Sequence, residues 1–202
     1  MRLREQLVLS HAETILDFLQ AKAPSEQLPE IMDAIFVPAN SHPRLAIHAI
    51  RLWERMPAKI PMVIAGARDT DRYLKIAKEF GIPKEFIVWE FSSTNTRQKV
   101  ERGMKRCMER RQHFKKVAVC APVFLTFRVL RTFEMFFPEV SAYGCPFNYA
   151  PHLLTNREIM WKAYSEFDNL RRYVDKGDIA PFILPNEVAL AVSEVKELFH
   201  FK

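Results

Sequence analysis

Glycine is scarce in this sequence, at five residues in 202, and cysteine is scarcer still, at three. Few glycines beside sixteen phenylalanines imply a compact core with tight connections. Cys107, Cys120 and Cys145 are odd in number and show no CxxC spacing, which argues against a zinc-binding set or a disulfide framework. Cys120 falls inside an apolar run and reads as a core thiol. Cys145, beside Gly144 and Pro146, is expected in a loop, with no histidine assignable to activate it as a nucleophile. The longest apolar runs, such as 117–125, fall well short of the ~18 residues of a membrane helix. The first residues carry Arg2, Arg4 and Glu5 and no apolar signal region, so a cytoplasmic location is expected. There is also no GxGxxG, GxxxxGK[ST], HExxH or GxSxG. These absences argue against a conventional NAD enzyme, a P-loop NTPase, a zincin and an α/β-hydrolase.

What is present is ordinary for a globular chain: 49% hydrophobic and 27% charged residues, enough to bury a substantial core. A net charge of +6 favours anionic partners. The charge is concentrated between Arg97 and Lys116, where nine Lys or Arg residues meet only Glu101 and Glu109. This stretch is predicted as a helix with Val100, Met104, Cys107 and Met108 inside and a solvated basic face outside. No aromatic residues interleave with the basic ones, so a nucleic-acid platform is not expected.

Ser10 and Glu13 have capping-box spacing ahead of Ile15, Leu16, Phe18 and Leu19, predicting an N-terminal helix to about residue 21. Residues 23–30, with Pro24 and Pro29, read as a linker. Short apolar runs then alternate with helical periodicity. Strands are expected at 34–38, 62–65, 86–89, 116–121 and 140–143, and helices at 43–55, 70–80, 94–114 and 124–136. Such alternation requires crossover connections and a mainly parallel sheet of about five strands, helices on both faces. The expectation is one α/β domain over 1–202, a doubly wound, Rossmann-like three-layer sandwich. It comprises a helix and linker (1–30), an α/β core (31–150) and a helical extension packed on the sheet (151–202), with helices at 156–174 and from Asn186.

In such sheets, ligands bind beyond the carboxyl ends of the strands. Asn40, Ser41, His42 and Arg44 follow the first predicted strand, and Gly66, Arg68, Asp69 and Thr70 the second. Glu90, Ser92, Ser93, Thr94, Asn95 and Thr96 follow the third, Thr126 and Arg128 the fourth, Cys145 and Asn148 the fifth. Hydroxyl and amide groups at 92–96 can bind phosphate or carboxylate at a helix N-terminus, or Ser93 or Thr94 can simply cap the helix. Arg44, Arg68 and Arg128 would suit an anion if they converged on one rim. His42 is a candidate acid or base, though a histidine before proline is more often a loop residue. Glu90 could bind a hydroxyl, act as a base or pair with an arginine. Glu90, Asp69 and Asp33 could hold Mg²⁺ only with a phosphate completing the shell, so no metal site is assigned.

These elements resemble the SanA/YdcF-like family, a conserved domain of unknown function, over about residues 33–148. Asp33 through Pro38 with Arg44 is similar to its first motif, and Ala65-Gly66-Ala67 to its second. Glu90, Ser93, Asn95 and Thr96 match its third residue by residue, and 121–128, ending in Arg128, is similar to its fourth. The tail, 173–188, is similar to that of the YdcF branch. The sequence departs from the pattern at Ala39-Asn40-Ser41, where glycines are expected, at Gln98 and Lys99 for Glu and Asn, and at Leu125 for His. The resemblance implies S-adenosylmethionine as a ligand, while the membrane anchor of other branches has no counterpart here.

Two functions are therefore expected as alternatives. One is binding of a small anionic, nucleotide-like or S-adenosylmethionine-type ligand, with or without catalysis on a phosphorylated or adenosyl substrate. Asn40, Ser41, Arg44, Gly66, Arg68, Ser93, Asn95, Thr96 and Arg128 would bind, with Glu90 as the catalytic candidate. The other is a non-catalytic interaction module presenting the basic helix 97–116 to RNA, an acidic protein or a membrane surface.

Overall fold

The computed structural model describes residues 3–20, 31–67, 69–147 and 157–199. Its centre is a five-stranded, all-parallel sheet of β1 (Ala34–Pro38), β2 (Met62–Ala65), β3 (Ile87–Glu90), β4 (Lys116–Val119) and β5 (Ser141–Gly144). The order across the sheet is β3-β2-β1-β4-β5. The chain steps outward from β1 to β3, then returns past β1 to β4, so the order reverses between β1 and β4. Backbone alternation sends Ile35 and Val37 to one face and Ala34 and Phe36 to the other. Both sets are fully buried, because α2 (Pro43–Arg55) and α3 (Thr70–Glu79) cover the first face. The second face is covered by α4 (Thr96–Glu109) and α5 (Val123–Phe136). Helices on both faces explain why these strands are continuously apolar rather than alternating.

α4 approaches the sheet closely at Gly103, where a Cβ would lie 2.9 Å from the Phe36 ring. That approach brings Lys99, one turn earlier on the same face, over the end of β1. The helix closes at Glu109 through a Schellman arrangement: Arg111, at φ 59°, donates its N–H to Met108, and Gln112 donates to Cys107. The expected basic helix 97–116 is thus shorter than its charge run, since the last basic residue, Lys116, opens β4.

The remaining helices are α1 (Leu3–Gln20), α6 (Arg157–Asp175) and α7 (Asn186–Phe199). They share one apolar cluster with Val123 and Phe124 of α5, and no strand residue enters it. The C-terminal extension therefore rests on α5 and α1, not on the sheet as expected. α1 also begins before its apparent capping box. Val8, Ala12, Ile15 and Leu19 form one buried stripe, so tertiary packing continues the helix through Ser10, whose carbonyl accepts from Thr14 Oγ1 at 3.0 Å. Among the described residues, no helix is long and apolar enough to cross a membrane.

Candidate functional site

The reversal of strand order leaves the loops after β1 and β4 facing a common crevice. A cavity of about 330 Å³ opens there. Asn40, Ser41 and His42 line it from the β1–α2 loop, Arg128 from α5, and Lys162, Glu166 and Asn169 from α6. The loop is pinned by an Asx turn, His42 N donating to Asn40 Oδ1 at 2.9 Å. The buried Tyr73 hydroxyl of α3 donates to the His42 carbonyl at 2.8 Å and lies 3.1 Å from Asn40 Oδ1. Burial raises the Tyr73 phenol well above its ordinary value, so it remains a neutral donor.

Arg128 is buried in the wall of this cavity, its Nε 3.1 Å from Oε1 of the equally buried Glu166. Neither atom has a hydrogen bond of good geometry, so the contact is chiefly coulombic. The guanidinium also lies over the Tyr173 ring, 4.8 Å from its centroid. Burial pushes the Glu166 carboxyl up to about 7, against the opposing pull of Arg128 and of the Asn169 amide.

A second cavity, of about 320 Å³, lies on the other side of the β1 terminus, between Ala39, Ala67, Asp69, Ser93, Thr94 and Lys99. Lys99 Nζ donates to the Ala39 carbonyl at 2.6 Å. Burial lowers the Lys99 amine; Arg128 lowers it further, while Asp69 and Glu90 pull it upward. Gly66 passes beside both groups with φ 155°, and a Cβ there would meet the Ala39 oxygen at 3.0 Å and Lys99 Cε at 3.3 Å. The loops after β2 and β3 are tied together by Gly66 N to Glu90 O (2.9 Å) and Ala67 N to Ser93 O (2.8 Å).

Glu90 is buried, and its carboxylate is turned into its own loop. It accepts from Ser92 N at 2.6 Å, from the Ser92 hydroxyl and from Ser93 N at 3.1 Å. Burial alone would raise this carboxyl, but the bonds from Ser92 and Ser93 together outweigh it and hold it below the ordinary value. Glu90 thus braces the β3–α4 loop. Asn95, not Ser93 or Thr94, is the N-cap of α4, its side chain accepting from Gln98 N at 2.9 Å. Gln98 returns the contact through Oε1, which accepts from Thr94 N at 3.0 Å.

The expected residues therefore separate. Asn40, Ser41, His42 and Arg128 meet in the first cavity, and Ser93 lies in the second. Gly66 adjoins Lys99, and Thr96 is buried in the first turn of α4. Arg44 lines a third cavity of about 300 Å³ with His48, Arg51 and Phe147, so it does not share a rim with Arg128. Arg68 and Asn148 lie outside the described residues. Asp33 sits at the opposite end of β1, its Oδ2 accepting from Lys115 N and Lys116 N, each at 2.8 Å, so it cannot share a cation with Glu90 and Asp69. Among the described residues, no group of three or more His, Cys, Asp or Glu is placed to hold a metal ion.

Much of the basic surface on α4 is engaged within the molecule. Arg97 pairs with Glu101 and Asp178, Arg102 bonds Ser92, Arg106 pairs with Glu109, and Arg110 bonds the Ile87 carbonyl. Glu166, with its neighbours Lys162 and Asn169, and Lys99 and Tyr73 are site residues that the sequence reading did not assign. Glu166 had a signal: an acidic residue within the stripe Ile159, Ala163, Phe167 and Leu170 of an otherwise amphipathic helix. Lys99 had a weaker one, as the cation one turn before the inward-facing Gly103. These residues define two polar cavities beside the switch point of a Rossmann-like sheet. No protein-family model matches the chain, and no curated protein matches it.

Proposed function

We propose that this chain binds a small anionic, nucleotide-like ligand in the crevice beyond β1 and β4. The observation that supports this reading is the cavity of about 330 Å³ at the point of strand reversal, with the buried guanidinium of Arg128 in its wall. Asn40 and Ser41 would meet the ligand's polar groups, and Arg128 its negative charge. A longer ligand would reach toward the second cavity, with Ser93, Thr94 and Lys99. S-adenosylmethionine, implied by the SanA/YdcF-like resemblance, is the first compound to test, its carboxylate being the group that would meet Arg128. Turnover of a phosphorylated or adenosyl substrate would draw on His42 and Glu166, because the Glu90 carboxylate is committed to its own loop.

The test is a thermal-shift and calorimetric screen of S-adenosylmethionine, S-adenosylhomocysteine, ATP, GTP, NAD and sugar nucleotides. A ligand at about a hundred times its Kd stabilises the fold by ~2.7 kcal/mol, a shift of a few degrees for this size. Ser41→Trp, at an exposed loop position, should fill the first cavity and abolish the shift while leaving the unliganded melting temperature unchanged. A flat screen of well-folded protein overturns the reading.

A further inference from the structure

Glu166 and Arg128 form a buried ion pair in the wall of a cavity, and that pair is poorly made. Their facing atoms are 3.1 Å apart and shielded from solvent, yet neither is in hydrogen-bond geometry. Among the described residues, the Glu166 carboxylate, which can accept about four hydrogen bonds, receives one contact on Oε2, from Asn169 Nδ2 at 3.4 Å. An ion pair withdrawn from water offsets its desolvation only when its geometry is good and its remaining lone pairs are occupied. Here neither condition is met. Arg128 also lies over the Tyr173 ring, a contact that does not involve Glu166.

We infer that Glu166 is a built-in counter-anion that holds Arg128 until an anionic ligand displaces it, the carboxylate leaving as a neutral acid with a proton taken from solvent. The inference rests on the ligand reading above and adds to it a coupling: one anion enters, one proton is taken up, and the charge in the buried wall is unchanged. Without the proton, two anions would crowd one guanidinium in a poorly hydrated space. Among the described residues, the remaining charged or titratable groups around Glu166 are Lys162 and Tyr173 on its own helix and His42 across the cavity. Lys162 is paired with Glu158 at 2.7 Å. Arg128 is the one described charge that acts on Glu166 appreciably. Burial already brings the Glu166 carboxyl to about 7, so the proton is available near neutrality.

The probes are sulfate and ADP-ribose, anions that do not themselves titrate near neutrality, measured at constant ionic strength. Wild-type protein should bind them roughly tenfold more tightly at about pH 6 than at about pH 8. Calorimetry at neutral pH in two buffers of different ionisation enthalpy should show protons taken up. Glu166→Gln should flatten the pH profile and bind roughly tenfold more tightly than wild type at about pH 8, whereas His42→Asn should keep the wild-type slope. Binding that is abolished by Ser41→Trp but shows no proton uptake overturns this inference and leaves the ligand reading intact. A slope retained in Glu166→Gln, or lost in His42→Asn, overturns it as well. Absence of binding to both proteins overturns both readings. Should Glu166→Gln fail to fold, the wild-type proton count and the His42→Asn profile decide the matter.

Discussion

Lys99 Nζ donates to the Ala39 carbonyl at 2.6 Å, joining residues sixty positions apart and tying the first turns of α4 to the end of β1. Both residues line the second cavity. The bond holds an amine in partial burial, which lowers its affinity for a proton. Lys99→Met leaves the carbonyl without its donor and should cost about 1–3 kcal/mol in urea denaturation. A change below about 0.5 kcal/mol would mean that water replaces the amine at no cost.

Gly103 is what lets α4 come that close. An alanine would favour the helix intrinsically by up to about 1 kcal/mol, but its Cβ would sit 2.9 Å from the buried Phe36 ring. Gly103→Ala should therefore destabilise the fold, by about 1–3 kcal/mol, because a close-packed sheet face cannot yield that space. A more stable variant would show that Phe36 moves freely.

Tyr73 shapes the loop that lines the first cavity. Tyr73→Phe keeps the buried ring and removes only the hydroxyl that holds the His42 carbonyl at 2.8 Å and sits 3.1 Å from Asn40 Oδ1. It should cost about 1–2 kcal/mol of stability and weaken any ligand bound by Asn40 and Ser41. Unchanged stability and affinity would remove the hydroxyl from this role.

Folding stability should carry the signature of Glu166. Its carboxyl shifts from an ordinary 4.5 to about 7 on folding, so the folded chain holds more protons than the unfolded chain between those values. Its stabilising contribution is then complete below about 4.5 and is lost as pH rises through about 7. Relative to Glu166→Gln, wild type should lose up to about 3 kcal/mol across that window. A pH-independent difference between the two proteins would show that the Glu166 carboxyl keeps its ordinary proton affinity on folding.

Asn95 separates a cap from a ligand contact. Asn95→Ala should cost about 1 kcal/mol by removing the acceptor for Gln98 N, and Asn95→Asp should restore it. If Asn95→Ala instead abolishes ligand binding at unchanged stability, the residue faces the ligand and not the helix.

The sheet was legible because its signals are local. Apolar runs such as Ala34–Pro38 and Met62–Ala65, each followed by an amphipathic stretch, allow few arrangements other than strands with crossover helices. The start of α1 was not legible at Ser10, since Val8 joins its stripe only when α5 and α7 supply a surface to bury it. The limit of the basic helix was hidden for a different reason. A charge run carries no mark of where the backbone turns, and Arg111 takes a left-handed conformation that its side chain does not announce.

By itself the sequence determined the fold class, the strands to within one or two residues of their ends and the polar residues near those ends, because alternation and periodicity act over a few residues. Which of those residues meet was decided by the tertiary structure. Arg44 and Arg128 both follow a strand's carboxyl end, yet α2 carries one to a separate cavity while α5 turns the other toward α6. Glu90 reads in the sequence as a hydroxyl contact, a base or an arginine's partner, and becomes a loop brace once Ser92 and Ser93 fold back on it. Glu166 lies 38 residues from Arg128 in sequence and acquires its chemistry only when α6 packs on α5 and withdraws both charges from water. Burial and pairing are properties of distant segments brought together, and no local pattern encodes them.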